Sequence, residues 1–235
     1  MVNRVLVALD VPTAAEAMAL AEKLQPHVEG FKVGLELLMG EGPAIVSQVA
    51  ALGSPVFVDA KLHDIPNTVG RAAELLGSAG ARWVTVHASG GREMVRVAAE
   101  ALNEGSGGAG GILAVTVLTS LGIYELAEMN INRPLDEMVT SLARSAAAGG
   151  AEGVVCAVSE ARLVHALGLG LTVVTPGIRP AGSSASDQKR VSTPEAAVRA
   201  GSDLLVIGRP ITSASDVVAA AVAISEEIEA AVSAT

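Results

Sequence analysis

Aromatic residues are scarce in this sequence: 2% of its 235 positions are Phe, Trp or Tyr. That is too few for the stacking platforms on which single-stranded nucleic acids are held. Positive charge is also in deficit, with 16 Lys and Arg against 25 Asp and Glu and a net charge of −9. No Lys/Arg cluster supplies the basic face that a nucleic-acid partner requires. The single cysteine, Cys156, excludes an internal disulfide and fits a reducing compartment such as the cytoplasm. It falls inside the run "VVCAV", where a small core residue is expected rather than a nucleophile. Half of the residues are apolar, yet no run approaches the roughly 18 uninterrupted apolar residues that a membrane span needs. The opening "MVNRVLVALDVP" lacks the small-residue cleavage pattern of a signal peptide and reads as a first strand. Linkers, low-complexity tracts and charge blocks are missing too, so one domain over residues 1–235 is expected.

What is present is a repeated unit: a short β-branched run, a turn, then an Ala-rich helical stretch. Eight runs can be counted: "RVLVAL" from Arg4, "GFKVG" from Gly30, "PVFVDAKL" from Pro55, "RWVTVHA" from Arg82, "GILAVTVL" from Gly111, "GVVCAV" from Gly153, "LTVVTPG" from Leu171 and "DLLVIG" from Asp203. Continuous Val/Ile/Leu runs suit parallel strands covered on both faces. Between them, "PTAAEAMALAEKL" offers Thr13 as N-cap with Glu16 three residues on, a capping box. "STPEAAVRAG" offers Thr193 at the N-cap, Pro194 at the first helical position and Gly201 past the end. Eight such βα units in a chain of this length predict an α/β fold, a (β/α)8 barrel. The competing architecture is a doubly wound open sheet, which often carries G-x-G-x-x-G after its first strand; here that turn reads "LDVPTAAEA".

Chemistry on such a barrel sits at the C-terminal ends of the strands. Those positions hold Asp10, Lys32, Asp59, Lys61, His87, Thr119, Arg179, Gly208 and Arg209, and six of the nine are Asp, Lys or Arg. A random draw from a chain that is 17% charged would supply about one or two. Asp10 alone is equally well read as a solvated strand end. Asp59 and Lys61 are not, because positions two apart on a strand share a face, and a buried strand has no other use for both. Asp64 follows three residues later, in the turn before Pro66, placed either to fold back over the site or to reach a neighbouring chain.

A Schiff-base lysine must be neutral to attack. Flanking carboxylates favour the ammonium form of Lys61, which makes it a proton donor and an electrostatic clamp. The histidines His27, His63, His87 and His165 lack the spacing of a metal site, although Mg²⁺ on Asp10 and Asp59 stays open on residue types alone. Barrels commonly bind phosphate after strands 7 and 8. There "TPGIRPAGSSASDQKR" and "VIGRPI" supply the donor forks of Arg179 and Arg209, the amide of Gln188 and the unhindered backbone of Gly208. The segment "PAGSSASDQ" has the composition of a mobile lid.

Taken together, these residues resemble the orotidine 5′-monophosphate decarboxylases. "DAKLHDIPNT" carries the family's D-x-K-x-x-D-I-P-N-T pattern. "ALDVP", "FKVGLEL", "VTVLTS", "TPGIRP" and "IGRPIT" follow in the family's order, so that the likeness covers essentially the whole chain and is greatest to the bacterial branch. The resemblance implies cofactor-free decarboxylation of orotidine 5′-phosphate to UMP, without a metal, the last step of pyrimidine synthesis. It implies that Lys61 protonates C6, that Asp59 lies beside the substrate carboxylate and that Lys32 completes a charged chain. Asp64 and Ile65 are then supplied by the partner subunit of a homodimer with shared sites. Asp10 matches a ribose binder and Thr119 a pyrimidine contact. Gln188, Gly208 and Arg209 match phosphate binders, with Arg179 nearby, and Thr68 closes the central motif among the substrate-binding residues. Two other readings remain. A Mg²⁺-dependent sugar-phosphate decarboxylase or aldolase on a related barrel shares a similar D-x-K-x-x-D, but the "IPNT" continuation weighs against it. A catalytically silent phosphate-binding barrel would have no use for an intact Asp-Lys-Asp set.

Overall fold

The computed structural model describes residues 4–180 and 191–233. Eight parallel strands form a closed barrel in sequence order. They are β1 (Val5–Ala8), β2 (Gly30–Val33), β3 (Val56–Leu62), β4 (Trp83–His87), β5 (Gly111–Val115), β6 (Gly153–Val155), β7 (Thr172–Thr175) and β8 (Leu204–Ile207). Each lies within one of the eight apolar runs of the sequence. β8 pairs with β1, Val5 opposite Leu205 and Val7 opposite Ile207, which removes both sheet edges. The open-sheet alternative is thereby excluded.

Side-chain alternation divides the apolar residues between two cores. Leu6, Ala8, Phe57, Trp83, Leu113, Val174 and Val206 pack together as one cluster filling the barrel. Residues of opposite parity, such as Val5, Val7, Val56, Val58, Val84 and Val173, join the larger core between strands and helices. This is why the strand sequences read as unbroken apolar runs: both faces are covered.

The two helices whose caps are legible in the sequence begin where those caps foretell. Helix Ala14–Leu24 starts after Thr13, whose side chain accepts from the Glu16 N–H at 3.2 Å. The capping box is altered in detail: the Thr13 hydroxyl donates to the Glu16 carboxylate instead of leaving it to the N-cap amide. Helix Pro194–Arg199 is capped by Thr193, which accepts from the Ala196 N–H at 3.1 Å, and Gly201 beyond its end has φ 96°.

One irregularity bears on function. β3 and β4 are in register at Val58 and Val84 and again at Leu62 and Val86. Four residues of β3 therefore advance against two of β4, a bulge that holds Asp59, Ala60 and Lys61. Within it Lys61 has φ 49°, in the left-handed region. At the opposite end of the barrel, Glu152 accepts two bonds from Arg82, at 2.8 and 2.6 Å, and one from Trp83 Nε1 at 2.8 Å. The Arg82 guanidinium also lies 4.5 Å from the Trp83 ring centroid.

Candidate active site

The barrel mouth opens into a cavity of about 500 Å³, lined among others by Asp10, Lys32, Asp59, Lys61, Thr119, Arg179, Gly208 and Arg209. All eight of these strand-end residues were expected from sequence, and they come from six different strands or the loops that follow them. Charges of alternating sign run along one wall. Lys32 Nζ lies 2.9 Å from Asp10 Oδ1 and 3.8 Å from Asp59 Oδ2, and Lys61 Nζ lies 2.7 Å from the same Asp59 oxygen. Lys32 is the most enclosed of the four, its side chain only 10% exposed. A buried ammonium is tolerated only with partners of this kind.

Asp59 and Lys61 meet, as their spacing predicts, but not by regular strand alternation. The bulge and the left-handed φ of Lys61 interrupt the pleat between them and re-aim the lysine, a recognised use of bulges beside active sites. The Lys61 backbone N–H donates to Thr85 Oγ1 at 2.8 Å, and the Thr85 hydroxyl donates to Asp59 Oδ1 at 3.0 Å. Thr85 was not among the sequence candidates. A threonine within a strand is unremarkable by composition, and only its inward parity on β4, shared with Trp83 and His87, could have singled it out. Gly34 was likewise passed over. A Cβ there would stand 2.6 Å from Asp10 Oδ1 and 2.9 Å from Lys32 Nζ, so a side chain just after β2 would displace the ion pair from its present geometry.

On the other side of the cavity lie the arginines. Arg179 is buried, and its Nη1 donates to the Ile178 carbonyl at 2.9 Å. Its backbone N–H donates to the Ser192 carbonyl at 2.8 Å, within a parallel bridge between Ile178 and Ser192. Gly177, also at the cavity, has φ 79°, which favours glycine at the turn out of β7. Arg209 opens the short helix Arg209–Thr212, and Gly208 precedes it. Gln188 and most of the proposed lid fall within 181–190, outside the described residues.

Three candidates stand away from the cavity. Asp64, Ile65 and Thr68 are exposed, Ile65 at 66%, and Asp64 Oδ1 accepts from the Ile65 N–H at 2.6 Å. His87 is beside the site, its ring centroid 5.2 Å from that of His63. Burial, reinforced by the neighbouring His63 and Lys61 charges and opposed by Asp59, holds the His87 pKa below its ordinary 6.5. Among the described residues no three His, Cys, Asp or Glu side chains converge as a metal site would require. Between Asp10 and Asp59 the space is taken by the Lys32 ammonium.

Comparison with known proteins agrees with this geometry. Residues 3–224 match the model of the orotidine 5′-phosphate decarboxylase / HUMPS family. An orotidine 5′-phosphate decarboxylase of Anaeromyxobacter dehalogenans is 50% identical over 224 residues, spanning 95% of this chain and 97% of that protein. One from Halorhodospira halophila is 50% identical over 229 residues, spanning 97% of each. The crystal structure of the Lactobacillus acidophilus orotidine 5′-phosphate decarboxylase superposes with a TM-score of 0.85 at 39% identity, over 97% of this chain and 99% of that one. By fold, by near-complete sequence coverage and by level of identity, the chain belongs to the orotidine 5′-phosphate decarboxylase / HUMPS family.

Proposed function

We propose that this chain is a cofactor-independent carboxy-lyase that converts orotidine 5′-phosphate to UMP in pyrimidine biosynthesis, with Lys61 as the proton donor. The names of its half-identical relatives support the activity. The observation that carries the role of Lys61 is its ammonium, 2.7 Å from Asp59 and facing a cavity whose other side holds Arg179 and Arg209. Loss of CO₂ from C6 leaves a carbanion in the plane of the pyrimidine ring, with no carbonyl positioned to delocalise it. A fixed ammonium at C6 stabilises that charge as it develops and then delivers the proton. Asp59 orients Lys61 and lies beside the departing carboxylate. Lys32 and Asp10 extend the charged row towards the ribose, and Thr119 contacts the pyrimidine. Arg179, Gln188, Gly208 and Arg209 grip the phosphate, whose binding energy, remote from the reacting bond, orients the ring.

The active form in this reading is a cytoplasmic homodimer of single-domain subunits. Asp64 and Ile65 then reach the neighbouring cavity across the subunit interface, and Thr68, in the same segment, is a substrate-binding residue. Their exposure on the isolated chain is what that role requires. No described helix is long and apolar enough to cross a membrane.

The test is the ultraviolet change of orotidine 5′-phosphate on turnover, followed with and without EDTA. Turnover unaffected by the chelator is expected; a large loss would favour a Mg²⁺-dependent sugar-phosphate enzyme. UMP binding without any CO₂ release would instead favour a silent phosphate-binding barrel. Lys61→Ala is expected to abolish turnover while leaving the fold and UMP binding in place. Normal turnover in that variant would end the assignment of Lys61.

A further inference from the structure

We propose that Thr85 is a positioning residue for the decarboxylation, its hydroxyl locking the Asp59–Lys61 pair in working geometry. The inference rests on the reading above, in which those two residues act on the substrate. Thr85 is fully buried and lies on the same inward face of β4 as Trp83. The bulge between β3 and β4 takes the Lys61 N–H out of the regular ladder, and the Thr85 oxygen, 2.8 Å away, receives it. With its oxygen accepting there, the hydroxyl proton is directed at Asp59 Oδ1, 3.0 Å away. That leaves Oδ2 of the same carboxylate for the Lys61 ammonium at 2.7 Å and, more distantly, Lys32 at 3.8 Å.

One hydroxyl thus joins two parts of a single constraint. It holds the backbone of Lys61 at the left-handed φ of 49°, and it fixes the rotation of the Asp59 carboxylate that receives the lysine's Nζ. Without it the main chain and the side-chain partner of Lys61 can shift independently. A misplacement of about 1 Å in a reacting group can cost about a hundredfold in rate. Because Thr85 does not line the cavity, its loss should spare substrate binding through the phosphate and ribose.

The experiment compares Thr85→Val, an isostere without the hydroxyl, with Thr85→Ser, which keeps it, in the full chain at a temperature well below melting. Thr85→Val is expected to lower kcat by about tenfold or more, with KM and UMP affinity within about threefold of wild type. Thr85→Ser should stay within about threefold in kcat. A Thr85→Val enzyme with kcat within about twofold of wild type overturns the proposal, even if its melting temperature falls, since that is what a purely structural hydroxyl would produce. A Thr85→Ser enzyme as slow as Thr85→Val overturns it as well. Should Thr85→Val fail to fold, Thr85→Ala against Thr85→Ser tests the same hydroxyl, and equal kcat values refute the role. Lys61→Ala measured in parallel separates the two readings: full activity there undoes the assignment of Lys61 itself, whereas an inactive Lys61→Ala beside an unimpaired Thr85→Val undoes only the present inference.

Discussion

Lys61 holds a backbone conformation that an L-residue adopts at a penalty of roughly 1–3 kcal/mol, and it does so within a strand, one residue before the end of β3. Such strain persists only where the surroundings over-determine it. Here they do, through the Thr85 hydroxyl on its amide and the Asp59 carboxylate on its ammonium. His87, at the end of β4, is the neighbouring group whose charge depends on pH. With its pKa lowered in the fold, first by burial, the unfolded chain takes up a proton that the folded chain refuses. Stability should therefore fall as pH drops below about 6.5 and level off once the folded ring is also protonated. Chemical denaturation at several pH values should show this decline in the wild type and a shallower one in His87→Asn. Equal declines in the two proteins would show that the histidine does not carry the effect.

Among the elements, the strands divide their labour along their length. Their C-terminal ends carry the charges of the cavity. At the N-terminal ends of β4 and β6, a polar tie of Arg82, Trp83 and Glu152 secures the barrel. Burial alone would raise the Glu152 pKa, but the hydrogen bonds from Arg82 and Trp83, with the Arg82 charge, prevail and lower it below the ordinary 4.5. Its stabilising contribution is thus present above about pH 4.5 and fades as the pH falls through the lowered value. Glu152→Ala leaves the Trp83 N–H and the Arg82 guanidinium without their acceptor. Its expected effect is a loss of about 1–3 kcal/mol in stability, several degrees in melting temperature for a chain of this size, with kcat unchanged. A marked fall in kcat would mean that the two ends of the barrel are coupled. At the other end, the β3–β4 bulge decides which way Lys61 points, a property of the strand pair and not of either strand alone.

For the molecule as a whole, the isolated barrel leaves the segment after β3 unfinished. Asp64 and Ile65 follow Lys61 closely in sequence, yet both are exposed and neither lines the cavity. If they complete the site of a neighbouring subunit, chains carrying Asp64→Ala and chains carrying Lys61→Ala, each inactive alone, should complement one another. In a freely exchanging equimolar mixture half the dimers are hybrids with one intact site of two, so recovery should approach about one quarter of wild-type specific activity. No recovery after proven subunit exchange would place Asp64 outside the partner's site.

The sequence by itself determined the barrel, because eight apolar runs separated by capped helices admit few other parallel arrangements. It also determined most of the charged lining of the cavity, because Asp10, Lys32, Asp59, Lys61, Arg179 and Arg209 together put far more charge at the strand ends than so apolar a chain would place there by chance. Only the tertiary structure decided how Lys61 meets Asp59. Period-two alternation brings the two residues to one face, but the observed contact passes through a two-residue bulge and the hydroxyl of Thr85. Gly34 and Thr85 escaped notice for the same reason. What sets each apart is a neighbour more than twenty residues away, Asp10 for one and the Lys61 amide for the other, and such contacts exist only once the barrel has closed.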